Sequence, residues 1–223
     1  MPENKLLVFG HVANDWLGYV LARFSIVTEG VAQQASPVVY FDTDVLFNAP
    51  SQKMFIDIAC SDRLTAPVEH FSKLAISPSV GAELLQLDNI YSSGVGFNFG
   101  TYGVPNLRDH GVVLQLIRDL VVKYINKNGR DSLPWLDQAA ANYVSCKYAG
   151  FDTSILTRYV RYGFTNDAYV LGALTGLVHF WGIPRKQRLE PMRHYLRLLE
   201  ENYVMDTSNS HRGSDDLMNY CGA

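Results

Sequence analysis

Residues 38–48, VVYFDTDVLFN, form a run of β-branched and aromatic side chains interrupted only by Asp42, Thr43 and Asp44. The run predicts a strand, with its two carboxylates at one end of a buried sheet. Upstream, KLLVFG predicts a first strand and Asn14–Asp15 a helix N-cap. Trp16, Val20, Phe24, Val27 and Val31 then recur at helical spacing until Pro37. Downstream, Asn48, Pro50 and Ser51 mark a turn, and Pro67 and Pro78 break up the mixed stretch from Cys60 to Leu87. NIYSSGVGFNFG (89–100) reads as a strand whose glycines mark a bulge or a close backbone approach. LRDHGVVLQLIRDLVVKYINKNG predicts an amphipathic helix with Val113, Leu116, Leu120 and Tyr124 on its apolar face and Gly129 at its end. A second helix opens at Pro134 with Asp137 in its first turn. The apolar run at 168–183 is short, holds three glycines and carries His179, so a buried strand fits it better than a membrane span. A basic turn, PRKQR, precedes a last helix, and the polar, turn-rich residues 206–223 have the composition of a disordered tail. Strands and helices alternate, which predicts one α/β domain over residues 1–205.

Composition narrows the partners. A chain of 223 residues, 48% hydrophobic and 18% charged, suits one globular domain with a substantial core. A net charge of -3 argues against general binding to nucleic acid. Cys60, Cys146 and Cys221 lie far apart with no CxxC pair, which predicts free thiols in a reducing compartment. The short apolar stretch at the N-terminus is not a signal peptide pattern, so a cytoplasmic protein is expected.

The aspartate pair is where chemistry enters. On a strand, residues i and i+2 point to one face, and their Cα atoms stand about 6.5–7 Å apart. Two carboxylates at that spacing can converge on a divalent cation, which offsets their mutual repulsion. An arbitrary Asp-x-Asp more often faces water at a strand end, but the apolar flanks here predict a central strand. Two reaction classes use such a pair. In one, a metal steadies the diphosphate of a nucleotide-sugar. In the other, a haloacid-dehalogenase-like phosphatase, Asp42 is the nucleophile and Asp44 the acid/base. The phosphatase needs a later acidic pair after a strand, and GSDD at 213–216 has the pair without the strand.

Three further stretches, YSSGVGFN, WLDQAAAN and VHFWGIPRK, follow the aspartates in order. Together the four resemble the retaining glycosyltransferases of family eight, the glycogenin-like and lipopolysaccharide galactosyltransferase-like group, from about Arg23 to Lys186. The resemblance implies a GT-A fold, Rossmann-like, with a mixed central sheet flanked by helices. Few residues precede Asp42, so the N-terminal nucleotide-binding half is expected to be reduced. It also implies a nucleotide-sugar donor, a carbohydrate or glycoconjugate acceptor, and manganese or magnesium. Asp42, Asp44 and His179 match the family's metal ligands, and an imidazole among carboxylates favours manganese. Asp42 and Arg23 match donor contacts. Asp137 and Gln138 match the pair near the reacting carbon, Gln138 offering a neutral amide beside a developing oxocarbenium ion. Ser93 and Gly94 match the sugar-contacting strand, with Ser92 where the pattern has Asn. Gly182 matches a close approach to the diphosphate, and Arg185 stands where the family has a phosphate-binding Lys, with Lys186 beside it. A catalytically decayed binding module is the further alternative.

Overall fold

The computed structural model describes residues 16–28, 34–133, 135–163 and 176–206. The expected first strand, the Asn14–Asp15 cap, Val31, Pro134, Cys221, residues 168–175 and 207–223, including the acidic pair at 215–216, lie outside them.

The β-branched run of residues 38–48 makes not one strand but two, β1 (Val38–Phe41) and β2 (Val45–Phe47). They join different sheets. β1 pairs antiparallel with β6 (Thr101–Val104), and β2 pairs antiparallel with β9 (Leu177–His179). The ladders continue into the turn between them: Asp42 N–H donates to the Gly100 carbonyl at 2.8 Å, and Phe180 N–H donates to the Asp44 carbonyl at 2.9 Å. Asp-Thr-Asp is therefore a crossing point, held by backbone bonds at both ends, and the strand geometry expected of it gives way to a turn.

The first sheet continues from β6 to β3 (Leu64–Thr65), antiparallel, and on to β7 (Phe151–Asp152), parallel. The second runs from β9 to β8 (Val160–Tyr162), also parallel. A two-stranded ribbon of β4 (Val68–Lys73) and β5 (Val95–Phe97) completes the strand set of the described residues. Residues 89–94, expected to lead that strand, lie before it as irregular chain.

Helices cover the sheets. α1 (Trp16–Ala22) is followed by a 3-10 turn at Ser25–Thr28. α2 (Gln52–Ala59), α3 (Ala82–Leu87), α4 (Leu107–Asn128), α5 (Leu136–Tyr148), α6 (Ser154–Thr157) and α7 (Leu189–Asp206) follow in chain order. Asn106 caps α4 by accepting from Arg108 N–H, and Gly129 ends it at a φ of 90°. Its buried stripe is Leu107, Gly111, Leu114, Ile117, Val121 and Ile125. The expected face is thus displaced: Val113, Leu120 and Tyr124 are half-buried at its margin and Leu116 is exposed. α1, α3, α4 and α5 pack on a core that includes Phe24, Phe97, Phe99, Tyr102 and Phe151, with Phe99 and Tyr102 stacked at 4.5 Å, while α2 and α6 share a second cluster and α7 a third. That core backs the Asp42 turn: Tyr40 stacks on Tyr102 at 5.0 Å and leads directly into it.

Cys146 is a free thiol, but Cys60 is disulfide-bonded, which corrects the expectation of three free thiols and removes its support for a reducing compartment. Among the described residues no helix is long and apolar enough to cross a membrane.

Candidate active site

β9 lies beside β2 with His179 opposite Val45, so the imidazole arrives next to Asp44. Donor atoms of Asp42, Asp44 and His179 all fall within 4.8 Å of one another. His179 Nε2 stands 3.3 Å from Asp44 Oδ1, yet neither ring nitrogen makes a hydrogen bond, although the residue is only 1% exposed. A buried imidazole with unsatisfied nitrogens is unusual. Two carboxylates and an imidazole at this spacing supply the oxygen and nitrogen donors of a divalent cation site, and the residues fit one. Gly100 keeps the space open: a Cβ there would fall 2.5 Å from both Asp42 Oδ2 and His179 Cε1.

Arginines balance the acids. Arg23 follows α1; its Nη2 lies 3.2 Å from Asp42 Oδ1 and its Nη1 lies 3.0 Å from Asp137 Oδ2 and 3.1 Å from the Phe99 carbonyl. Tyr40 Oη donates to Asp42 Oδ1 at 2.8 Å, and the Arg23 guanidinium sits over the Tyr40 ring at 4.4 Å. Burial works against the Arg23 charge, but Asp137 and Asp42 outweigh it and raise the guanidinium's pKa. Arg188 Nη1 reaches Asp44 Oδ2, while its Nε donates to the Ile183 carbonyl at 2.6 Å. Burial opposes ionisation of Asp44, yet His179 and Arg188 hold its carboxyl below the ordinary range.

The facing wall is the first turn of α5. Trp135 and Leu136 enter it with φ of 60° and 33°, a left-handed conformation that costs side-chain-bearing residues energy. This entry turns Asp137 and Gln138 inward, each 9% exposed. Burial pushes the Asp137 carboxyl up, more than Arg23 brings it down. Both residues line a cavity of about 250 Å³ with Arg23, Asp42, Asp44 and His179. An adjoining cavity of about 740 Å³ shares Arg23, Asp42, Asp44 and Arg188 and adds Tyr19, Tyr40 and Arg185.

The structure thus gathers Arg23, Asp42, Asp44, Asp137, Gln138 and His179 in one place and puts Arg185 beside it. Gly182, at a φ of 83°, and Lys186 are exposed in the turn after β9 and line neither cavity. Ser93 borders a separate apolar cavity with Leu74, Leu85 and Tyr91, and Gly94 accepts Leu74 N–H at its edge. Two site residues escape the sequence motifs. Arg188 sits in the PRKQR stretch, where the basic cluster is the signal, and a 3-10 turn at Arg185–Gln187 precedes it. Tyr40 carries no local signal.

No protein-family model matches the chain, and no curated protein matches it. Solved structures do. The galactosyltransferase LgtC, in complex with donor and acceptor sugar analogs, superposes with a TM-score of 0.51 at 15% identity, over 88% of this chain and 70% of its own. The bifunctional glycosyltransferase WbbM in its apo form gives a TM-score of 0.52 at 14% identity, over 86% of this chain. This chain spans 38% of WbbM. The likeness shows the fold: a mixed α/β fold of the GT-A glycosyltransferase type.

Proposed function

We propose that the chain is a metal-dependent retaining glycosyltransferase of the family-eight kind. It would move a sugar from a nucleoside-diphosphate sugar, a UDP-sugar in the first instance, to an acceptor hydroxyl on a carbohydrate or glycoconjugate. One observation carries this reading: Asp42, Asp44 and His179 meet in the same cavity as Arg23, Asp137 and Gln138. Asp42, Asp44 and His179 would hold the ion, with manganese favoured over magnesium by the imidazole. When bound, that ion supplies Lewis-acid stabilisation of the departing diphosphate.

The remaining work falls to side chains. Arg185 and Arg188 border the larger cavity and offer planar forks suited to phosphate oxygens. Arg23 ties Asp42 to Asp137 and so sets the distance between the metal side and the sugar side. Gln138 places a neutral amide beside the sugar, where a charged group would bias the developing positive charge. The acceptor hydroxyl attacks from the face that the diphosphate leaves. Ser93, Gly94, Gly182 and Lys186 enter this reading only through the resemblance.

The test is a thermal-shift titration with UDP, with and without manganese, beside an assay of manganese-dependent hydrolysis of a UDP-sugar. The reading expects a nucleotide shift that needs manganese, and loss of hydrolysis in Asp44→Asn by a factor on the order of 10² or more. An Asp44→Asn variant as active as the wild type refutes it. A manganese-dependent shift without turnover identifies a binding module. Phosphate release from an aryl phosphate that survives His179→Ala identifies a phosphatase.

A further inference from the structure

Three hydrogen bonds hold the Gln138 amide. Its Oε1 accepts from Phe99 N–H at 3.2 Å. Its Nε2 donates to Glu69 Oε2 at 3.0 Å and to the Ser79 carbonyl at 3.2 Å. A reversed amide would set its oxygen against two acceptors and its NH2 against an N–H, so the surroundings assign the orientation. Both N–H bonds are spent, and the group left to offer the cavity is the second lone pair of Oε1. The main chain of Gln138 is fastened as well: Asn142 Nδ2 donates to its carbonyl at 2.9 Å and to the Phe97 carbonyl at 2.9 Å. What remains free is the side-chain rotor, and Glu69 restrains it.

Glu69 lies in β4 and is 1% exposed. Its other oxygen accepts from Ser72 Oγ–H at 2.6 Å. These two neutral donors are poor compensation for burying a carboxylate, so fold stability alone does not explain an acid at this position.

We infer that Glu69 is a positioning residue: by taking up the amide N–H of Gln138 it turns Gln138 Oε1 toward the reacting sugar and makes that wall of the cavity a hydrogen-bond acceptor. This rests on the transferase reading above.

The experiment compares E69Q, E69L, Q138A and the E69L/Q138A double variant in manganese-dependent turnover of a UDP-sugar. E69Q keeps an oxygen for Gln138 and reverses the bond to Ser72, whose hydroxyl then accepts. It is expected to rescue turnover to within about threefold of wild type, whereas E69L loses kcat on the order of 10²-fold with donor KM changed by less than about threefold. The double variant is expected to be no slower than Q138A. The inference falls if E69L keeps wild-type kcat, if E69Q loses as much as E69L, or if the two losses multiply. Should E69L not fold, the Gln138 side-chain amide signals, identified by their absence in Q138A, decide it. Slow hydrogen exchange of both protons in wild type and E69Q supports the inference, and free exchange overturns it. Turnover missing from the wild type overturns the transferase reading and this inference together; turnover present but indifferent to Glu69 overturns this inference alone.

Discussion

The two walls of the cavity are built differently. The wall of Asp42, Asp44 and His179 is ionic and incomplete. Its acids are balanced by guanidiniums reaching in from the segments after α1 and β9, and its imidazole has only the 3.3 Å approach of Nε2 to Asp44. The wall of Gln138 and Ser79, with Asn142 and Glu69 behind it, is mostly neutral and closed, with the amides of Gln138 and Asn142 paired to backbone and side chains at 2.9–3.2 Å. A finished network holds one shape without help. A set of acids with exchangeable counter-charges and an unsatisfied imidazole can accept a cation without first breaking a rigid frame. The division matches the reading in which one side binds metal and diphosphate and the other shapes the sugar.

Arg23 joins the walls, so its loss is the most damaging change. Arg23→Met leaves Asp42 and Asp137 without a counter-charge, their side chains 32% and 12% exposed. Removing one partner from a buried pair destabilises by about 3–5 kcal/mol, and the partial exposure of Asp42 points to the lower end. Urea unfolding measures it. The pH dependence identifies the cause. Burial holds the folded Asp137 carboxyl above its unfolded range of about 3.9, so stability falls as pH rises from there through the folded value. Without Arg23 that value climbs further, and the deficit of the variant is larger at neutral than at acid pH. A deficit under about 1 kcal/mol at pH 7, or one unchanged by pH, would show that the arginine does not balance Asp137.

Two glycines separate the walls. Gly100→Ala drives a Cβ to 2.5 Å from Asp42 Oδ2 and His179 Cε1. Gly96→Ala drives one to 2.4 Å from Val80 Cγ1 and 2.9 Å from Asn142 Oδ1. Both overpack, at about 1–3 kcal/mol of stability each. Only Gly100→Ala is expected to lose the manganese-induced shift in melting temperature. Equal loss in both variants would mean that the walls are one unit and the comparison is empty.

What the sequence reveals of this site follows the range of the interaction involved. Asp42 and Asp44 sit in a stretch whose residue types suggest a cation site, whereas Asp137, Gln138 and His179 are singled out only through the resemblance. The break of VVYFDTDVLF into two strands depends on Gly100 and Phe180, remote partners that no local pattern announces. The face of α4 is displaced for a different reason: Val112 and Leu116 put apolar residues on the solvent side too, so periodicity alone is ambiguous there. Glu69 in VEHFSK and Tyr40 in VVYF look like ordinary strand residues. Their place in the site comes from hydrogen bonds to side chains, which only the fold brings within reach.

Arg188 gives the smallest and most specific test of the ionic wall. Its side chain is 30% exposed and pairs with Asp44, a carboxylate the cation would need. The guanidinium is partly solvated and Asp44 keeps His179 Nε2 at 3.3 Å, so the loss stays below the about 3–5 kcal/mol of a fully buried pair, and Arg188→Ala should lower the melting temperature of the metal-free protein less than Arg23→Met does. Its effect on manganese has the opposite sign. With the competing guanidinium gone, Asp44 is free before the ion arrives, and manganese alone should bind more tightly in the variant. UDP binding in the presence of manganese should weaken, because one of the guanidinium forks bordering the larger cavity is missing. Calorimetric titrations with manganese, then with UDP, read the two changes separately. If manganese affinity in the variant equals that of the wild type, the Arg188–Asp44 contact does not compete with the cation, and the ionic wall is as settled as the neutral one.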